Sequence, residues 1–178
     1  FDLVVIGSHG LTGWKRFFMG SVTESVVRTS KVPVFTIRQM EHNFIDLEDV
    51  EAIPRIERIL CPWNGPDYGT PALGIAVSMA ERFNARLSVL YTVENQGSFD
   101  PRVDELKALC SALLSADPPR CELSPVIREG NAAEQILSLA KAEKHDLIVM
   151  GATHKPFMGS TVLGRTTELV LRNAPVPV

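Results

Sequence analysis

Three features are scarce in this sequence, and each scarcity narrows the class of protein. Among its 178 residues, Cys61, Cys110 and Cys121 form neither a CxxC pair nor the spacing of a metal site. We therefore expect reduced thiols in a cytoplasmic protein, with a redox switch as the alternative. The net charge of −3 lacks the basic excess of nucleic-acid binders, so we expect no nucleic-acid partner.

Long apolar runs are the third scarcity. A membrane-spanning helix needs about 18 or more consecutive apolar residues, and no such run occurs, so we expect no membrane partner. Residues 1–6 contain neither a basic leader nor a cleavage site, so no secretion signal is predicted. The composition is otherwise ordinary, with 45% hydrophobic and 22% charged residues, which suits a globular core of the usual domain size.

An internal repeat organises the chain. Residues 2–34 align without a gap on residues 146–178, so that each residue number rises by 144, as from 2 to 146. The matched positions include two glycines, a Thr-Glu pair and a Val-Pro-Val ending: Gly7 with Gly151, Gly20 with Gly164, Thr23-Glu24 with Thr167-Glu168, and residues 32–34 with 176–178. A period of this length suits a whole domain rather than a short solenoid repeat.

We therefore divide the chain into three parts. Residues 1–38, the first copy, are predicted to be the C-terminal remnant of one domain, and residues 56–178, the second copy, a domain truncated in its last strand. Residues 39–55 are acidic and read as a solvated linker, with a partner-binding segment as the alternative. If the copies are equal in length, about 90 residues precede the first copy.

Strand and helix patterns alternate along the second copy. Strands are predicted at residues 56–62, 86–93, 121–128 and 146–150, with a fifth beginning at Val176, and a helix is predicted between each pair. Thr70-Pro71 is predicted to start the first helix, and Asn131 with Glu134 to form a capping box. This order predicts an α/β fold with a parallel five-stranded sheet and helices on both faces. Its ligands should lie beyond the carboxyl ends of the strands.

A glycine motif follows the first apolar strand. Gly7-Ser8-His9-Gly10 is separated by nine residues from Gly20-Ser21, which is predicted to start a helix with Ser21 as a possible cap. Glycine permits close approach of the backbone to a ligand, and the N–H groups at a helix start favour phosphate oxygens. The alternative is an ordinary strand-to-helix turn with a satisfied cap.

At these residues the chain resembles the universal stress proteins. The pattern G-x2-G-x9-G-(S/T), followed by Val-Thr-Glu and then Val-Pro-Val, is specific, and the resemblance covers the whole chain apart from the linker. It implies a Rossmann-like fold of the adenine-nucleotide α-hydrolase type, in a tandem arrangement with an incomplete first copy. It also implies that ATP, possibly with Mg, is held by the first copy, at residues Gly7, Ser8, His9, Gly10, Gly20, Ser21 and Val22.

The second copy departs from the pattern. His154 stands where the second glycine belongs, and Arg165 replaces the serine or threonine. By resemblance, the adenine pocket of this copy lies at Pro62, Asn64, Val93 and Gly130, and the phosphate loop at Gly151 and Gly164. One interpretation is a degenerate structural copy, in which His154 and Arg165 fill the phosphate space. The other is an Arg165 phosphate clamp for a different anionic ligand.

No catalytic constellation is visible, so we expect at most slow ATP hydrolysis. The resemblance implies an ATP-binding regulator of the stress response with an unknown protein partner. The alternatives are a nucleotide-free scaffold of the same fold and a slow ATP hydrolase. The strand at residues 32–38 resembles the dimerising edge of the family, which implies a homodimer or an internal pseudo-dimer. His42 and His145 are interpreted as surface residues, and Trp63 as a packing residue with base stacking as the alternative.

Overall fold

The computed structural model describes residues 1–7, 20–37, 55–93, 100–115, 121–152, 154–157 and 160–178. At residues 67, 68, 154–157 and 160–162 it describes the backbone only. The described elements, in chain order, are β1 (Val4–Gly7), α1 (Ser21–Thr29), β2 (Val34–Ile37), β3 (Arg58–Pro62), α2 (Pro66–Phe83), β4 (Arg86–Val93), α3 (Pro101–Leu114), β5 (Glu122–Glu129), α4 (Ala132–Ala142), β6 (Leu147–Ile148), β7 (His154–Phe157), β8 (Ser160–Leu163) and α5 (Arg165–Asn173).

The main sheet has four parallel strands in the order β5-β4-β3-β6. The prediction of an α/β fold with a parallel sheet is confirmed, but the expected count of five strands differs from the four observed. The predicted fifth strand is present only as an extended segment beside β6, where the Ile148 amide donates to the Pro177 carbonyl at 3.0 Å. This one backbone hydrogen bond beside β6 is too few for residues 176–178 to be assigned as a strand.

Alternate residues of the strands point into two apolar layers, as expected of a sheet buried on both faces. Ile59 and Leu147 belong to one layer, which includes residues of α2 and α3. Leu60 and Ile148, their neighbours in sequence, belong to the other, which includes residues of α4 and α5. The prediction of helices on both faces is confirmed.

Helix α2 begins earlier than predicted. Its N-cap is Gly65, with φ of +108°, and Pro66 occupies the first turn, so Thr70-Pro71 lies inside the helix rather than at its start. Pro66 and Pro71 both suit the first turn of a helix. The prediction that α2 starts at Thr70-Pro71 is wrong, because the helix starts at Pro66. Gly69 then packs on the preceding loop so closely that a Cβ there would lie 2.5 Å from Cδ1 of Trp63.

The remaining elements of the second copy agree with the predictions in part. Strand β4 is the predicted residues 86–93, and the Asn131 side chain accepts the Glu134 amide at 3.2 Å, which is one half of the capping box. The strand predicted at residues 146–150 is reduced to β6. Between it and α5 lies an antiparallel hairpin, β7–β8, that the sequence pattern did not predict.

The first copy forms a separate two-stranded parallel sheet of β1 and β2. Its backbone repeats the second copy, because the Val4 amide donates to the Pro33 carbonyl at 3.0 Å, as Ile148 does to Pro177 144 residues later. Strand β2 also meets the end of the second copy. The Thr36 amide donates to the Val178 carbonyl at 2.7 Å, and the Val178 amide donates to the Thr36 carbonyl at 3.2 Å. This reciprocal exchange is the hydrogen-bonded pair of an antiparallel ladder.

Candidate functional site

The two ends of the glycine motif in the first copy lie together. Strand β1 ends at Gly7 and helix α1 begins after Gly20, and the Thr23 hydroxyl donates to the Gly7 carbonyl at 3.1 Å. Thr23 is buried, so this hydrogen bond fixes the helix start against the strand end. Ser8, His9 and Gly10 lie outside the described residues, so the structure places only the two ends of the motif.

The start of α1 is open to solvent. Gly20 is the N-cap and makes no side-chain cap hydrogen bond, and Ser21 is the first helical residue rather than the cap predicted for it. Gly20, Ser21 and Val22 are all exposed, and among the described residues no heavy atom lies within 4 Å of a Cβ built at Gly7. The first N–H groups of a helix have no partner within the helix and carry partial positive charge. The helix start therefore offers backbone donors to an anion.

The second copy has the same backbone at the matching place. Gly164 caps α5 with φ −63° and ψ 140°, against −61° and 142° at Gly20. The Thr167 hydroxyl donates to the Gly151 carbonyl at 3.4 Å, which repeats the Thr23 bond at a longer distance. Helix α5 starts at residue 165, directly after Gly164.

A cavity of about 260 Å³ lies at this second helix start. It brings together several of the predicted residues, since its lining includes Pro62, Asn64, Gly151, Gly164 and Arg165. Val93 and Gly130 are absent from that lining and instead meet each other, where the Gly130 amide donates to the Val93 carbonyl at 2.9 Å. The volume falls just below the roughly 300–1,000 Å³ typical of small-molecule sites.

Arg165 changes the charge of the cavity in the second copy. It is the first residue of α5, where a cation opposes the helix dipole, whereas the matching Ser21 of α1 is neutral. The two interpretations of Arg165, a residue that fills the phosphate space and a phosphate clamp, both place it in this cavity, and it does line the cavity. His154, the other departure from the motif, has its backbone in β7, and its side chain lies outside the described atoms.

Comparison with known proteins finds a family match over both copies of the repeat. The model of the universal stress protein family matches residues 1–38 and 55–178. The chain belongs to the universal stress protein family. A universal stress protein of Methanocaldococcus jannaschii, MJ0531, is 30% identical over 135 residues, which cover 68% of this chain and 79% of that protein.

Solved structures share the fold of this family. A universal stress protein from Archaeoglobus fulgidus matches with a TM-score of 0.77 at 24% identity over 100% of this chain, which spans 61% of that one. A universal stress protein in complex with cAMP matches with a TM-score of 0.52 at 19% identity, over 68% of this chain and 93% of that one. At these identities the likeness concerns the fold alone.

An aromatic cluster lies at the carboxyl end of strands β3 and β4. Only Trp63 of this cluster was named in the sequence analysis. Trp63, which is 3% exposed, meets Tyr91 edge to face with ring centroids 5.8 Å apart, so its predicted packing role is confirmed. The Tyr91 hydroxyl donates to Asp100 at 2.5 Å, and Asp100 caps α3 by accepting the Arg102 amide at 3.0 Å. The Asp-Pro pair before α3 was the sequence signal for this cap.

The interpretation of His145 as a surface residue is wrong. Its side chain is 3% exposed, and Nε2 lies 3.1 Å from the Ser88 hydroxyl. Burial lowers the pKa of His145, with Arg58 acting in the same direction and Glu143 and Asp146 opposing it. His145 lies just before β6 and therefore far from the carboxyl ends of the strands. The burial of His145 arises from contacts with residues distant in the sequence. A single histidine flanked by charged residues gives no sign of such contacts.

The structure forms no disulfide among Cys61, Cys110 and Cys121, and the first two are unsuited to a redox role. Burial raises the pKa of the Cys61 thiol to about 12 and that of Cys110 to about 11, so both stay protonated at neutral pH. Within the described residues, no group of three or more His, Cys, Asp or Glu side chains could hold a metal ion. The same part of the chain contains no helix long and apolar enough to cross a membrane.

Proposed function

We propose that this chain is an ATP-binding regulator in which the loop between β1 and α1 receives the phosphates. The chain's family includes a solved member in complex with cAMP, which supports an adenine nucleotide as the ligand. The motif from Gly7 to Ser21 supports the triphosphate form, since it resembles the phosphate loop of the family. The action proposed is a change of conformation on binding, which alters a surface for a protein partner.

The observation that carries this proposal is the bond from Thr23 to Gly7. It holds the uncapped, exposed start of α1, whose first amides are those of Ser21 and Val22, beside the end of β1 at Gly7, at 3.1 Å. Phosphate oxygens are favoured by such amides and by the helix dipole. Ser21 adds a hydroxyl donor at the same place.

Regulation follows from the way the site is built. The two ends of the loop are held by the fold, and a bound phosphate would add hydrogen bonds between them. A ligand that binds one arrangement of the loop better than the others shifts the population toward that arrangement. ATP supplies the charged phosphates for this shift, and no bond of the nucleotide needs to break.

We infer a different role for the second copy, as a degenerate site that keeps the fold without the nucleotide. Arg165 brings a guanidinium into the cavity at the place of Ser21, and the cavity is small at about 260 Å³. The alternative, an arginine clamp for another anion, uses the same residues. Removing the guanidinium distinguishes the two, because only a clamp would lose anion binding.

We further infer that the chain is part of a tandem protein in which two copies pair as an internal pseudo-dimer. The equal bonds of Val4 to Pro33 and of Ile148 to Pro177 support two copies of one unit. The reciprocal bonds between Thr36 and Val178 support pairing through the last strands. In such a protein, one copy can keep the nucleotide site while the other supplies structure.

A charge placed at the start of α1 tests the nucleotide site. Ser21→Glu puts a carboxylate where phosphate is proposed to bind, yet an acidic residue there favours the helix dipole, so the fold should be unharmed. We expect ATP affinity, measured by calorimetry, to fall at least about 100-fold, since a close like-charge contact costs several kcal/mol.

Ser25→Glu provides the matched control. Ser25 is exposed on the same helix one turn later, so the same charge is added away from the proposed phosphates. Affinity in this variant should stay within about threefold of the parent, because surface charges in solvent interact weakly. An unaltered chain that fails to bind ATP would favour a nucleotide-free scaffold, and equal losses in both variants would refute the local site.

A further inference from the structure

The apolar support of helix α1 comes from the second copy. Among the described residues of the first copy, Val27 of α1 is the only apolar residue that is buried, with 8% of its surface exposed. Val27 belongs to an apolar cluster whose other buried members, Leu163 and Leu171, lie in the second copy. Because tertiary packing of an apolar face supplies most of the stability of a short helix, the second copy helps to place α1.

Helix α1 is held at two points on one face. Thr23 and Val27 are its buried residues, and a separation of four positions puts them on the same side of the helix. The Thr23 hydroxyl bonds to Gly7 within the first copy, and Val27 packs in the cluster shared with the second copy. One hydrogen bond fixes a single point of a helix, so the packing at Val27 is needed to fix the direction of its axis.

Leu163 joins this cluster from the end of the hairpin β7–β8. The strands of the hairpin, residues 154–157 and 160–163, align with residues 10–13 and 16–19 in the glycine motif of the first copy. Strand β8 lies against α1, and its last residue, Leu163, is 8% exposed. The part of the second copy that corresponds to the phosphate loop therefore contacts the helix that begins at the proposed phosphate site.

We propose that Leu163 of the second copy is a positioning residue for the nucleotide site of the first copy. This inference rests on the proposed function, because the site concerned is the start of α1. By packing with Val27, Leu163 holds α1, and with it the amides at the helix start, in place before the phosphates arrive. A site that is ordered in advance binds more tightly, since less ordering accompanies binding.

Leu163→Ala tests this role, with Leu123→Ala as the matched control. Leu123 is 7% exposed and lies in β5, at the opposite edge of the main sheet from β6, in the apolar layer of α2 and α3. The two substitutions remove the same atoms from sites of similar burial. ATP affinity, measured by calorimetry, should fall at least about fivefold in Leu163→Ala and stay within about twofold of the parent in Leu123→Ala.

Two further variants separate positioning from a general loss of stability. Leu163→Met introduces the residue type that the first copy has at the aligned Met19 and nearly conserves volume, so affinity should return to within about twofold of the parent. Val27→Ala should weaken binding as Leu163→Ala does. The double variant should lose about as much as either single variant, because both act through the same contact.

Equal losses in Leu163→Ala and Leu123→Ala, or additive losses in the double variant, would overturn the positioning role. Failure of the unaltered chain to bind ATP would instead remove the proposed function. Hydrogen exchange without nucleotide examines the support of α1 in either case. The α1 amides should exchange about tenfold or more faster in Leu163→Ala than in Leu123→Ala, and equal exchange would contradict the proposal.

Discussion

The start of α1 and the start of α5 have nearly the same backbone and different chemistry. Both helices follow a glycine N-cap with φ and ψ equal within 2°, and both are tied to a preceding glycine by a buried threonine hydroxyl. Yet the first helical residue is Ser21 in one and Arg165 in the other. The comparison teaches that the threonine–glycine hydrogen bond and the glycine cap recur with the fold, while the residue after the cap differs in charge.

Burial is the largest difference that can be tested between the copies. Ile148 is fully buried in the apolar layer that includes residues of α4 and α5, whereas the matching Val4 is half-buried. Ile148→Ala should lower the free energy of unfolding by about 2–5 kcal/mol, and Val4→Ala by about 1 kcal/mol. Chemical denaturation measures both, and equal losses would show that the first copy is packed as fully as the second.

The fold was largely readable from the sequence because local patterns agreed with the packing. Residues 86–93 are rich in β-branched, aromatic and other apolar side chains, and they form β4, which pairs with both β3 and β5. Asn131 likewise signals its helix through chemistry within three residues. Where a signal is both local and unopposed, the prediction is confirmed.

Features set by distant contacts were not readable. The hairpin β7–β8 interrupts the route from β6 to α5, and nothing in its composition marks it. Both Pro66 and Pro71 are compatible with the first turn of a helix, so the sequence alone does not say which one starts α2. The helix starts at Pro66, and the close packing of its first turn on Trp63 is a contact that the local pattern does not show. In the candidate site, the motif predicted a helix beginning at Gly20-Ser21, but the cap is Gly20 and not Ser21. The absence of Val93 and Gly130 from the second cavity depends on tertiary geometry.

The hydrogen bonds from Thr23 to Gly7 and from Thr167 to Gly151 allow a second comparison of the copies, with a smaller expected effect on stability. Thr23→Val and Thr167→Val keep the shape of the side chain and leave the glycine carbonyl without its hydroxyl donor. Each should cost about 1 kcal/mol, with the greater loss for Thr23, whose bond is 3.1 Å against 3.4 Å. Thermal or chemical unfolding measures the pair, and a loss confined to Thr167 would reverse the ranking.

One pH effect should arise from His145 in the second copy, because the matching residue of the first copy is Phe1. Burial lowers the pKa of His145 in the folded chain below its ordinary value of 6.5. The unfolded chain therefore binds more protons as pH falls. The stability from the neutral ring is fully present above about pH 6.5 and is lost as pH falls through the folded pKa. Denaturation midpoints from pH 7.5 to 5 should decline more steeply in the parent than in His145→Gln.

The smallest expected effect concerns the ion pair on α5. Arg172 and Glu168 lie one turn apart, with 2.5 Å between Nη2 and Oε1, and both side chains are partly exposed. Glu168→Gln should lower the free energy of unfolding by about 0.3–0.5 kcal/mol, and the loss should shrink at high salt. A loss above about 2 kcal/mol would indicate a buried role for the pair.

Counting bound ATP in the chain and in two matched variants tests the contrast between the copies most directly. Calorimetric titration should give one ATP per chain, lost in Ser21→Glu and retained in Arg165→Ala, because the changed residues hold the same place in α1 and α5. Two sites in the unaltered chain, or binding that survives Ser21→Glu and disappears in Arg165→Ala, would contradict the account.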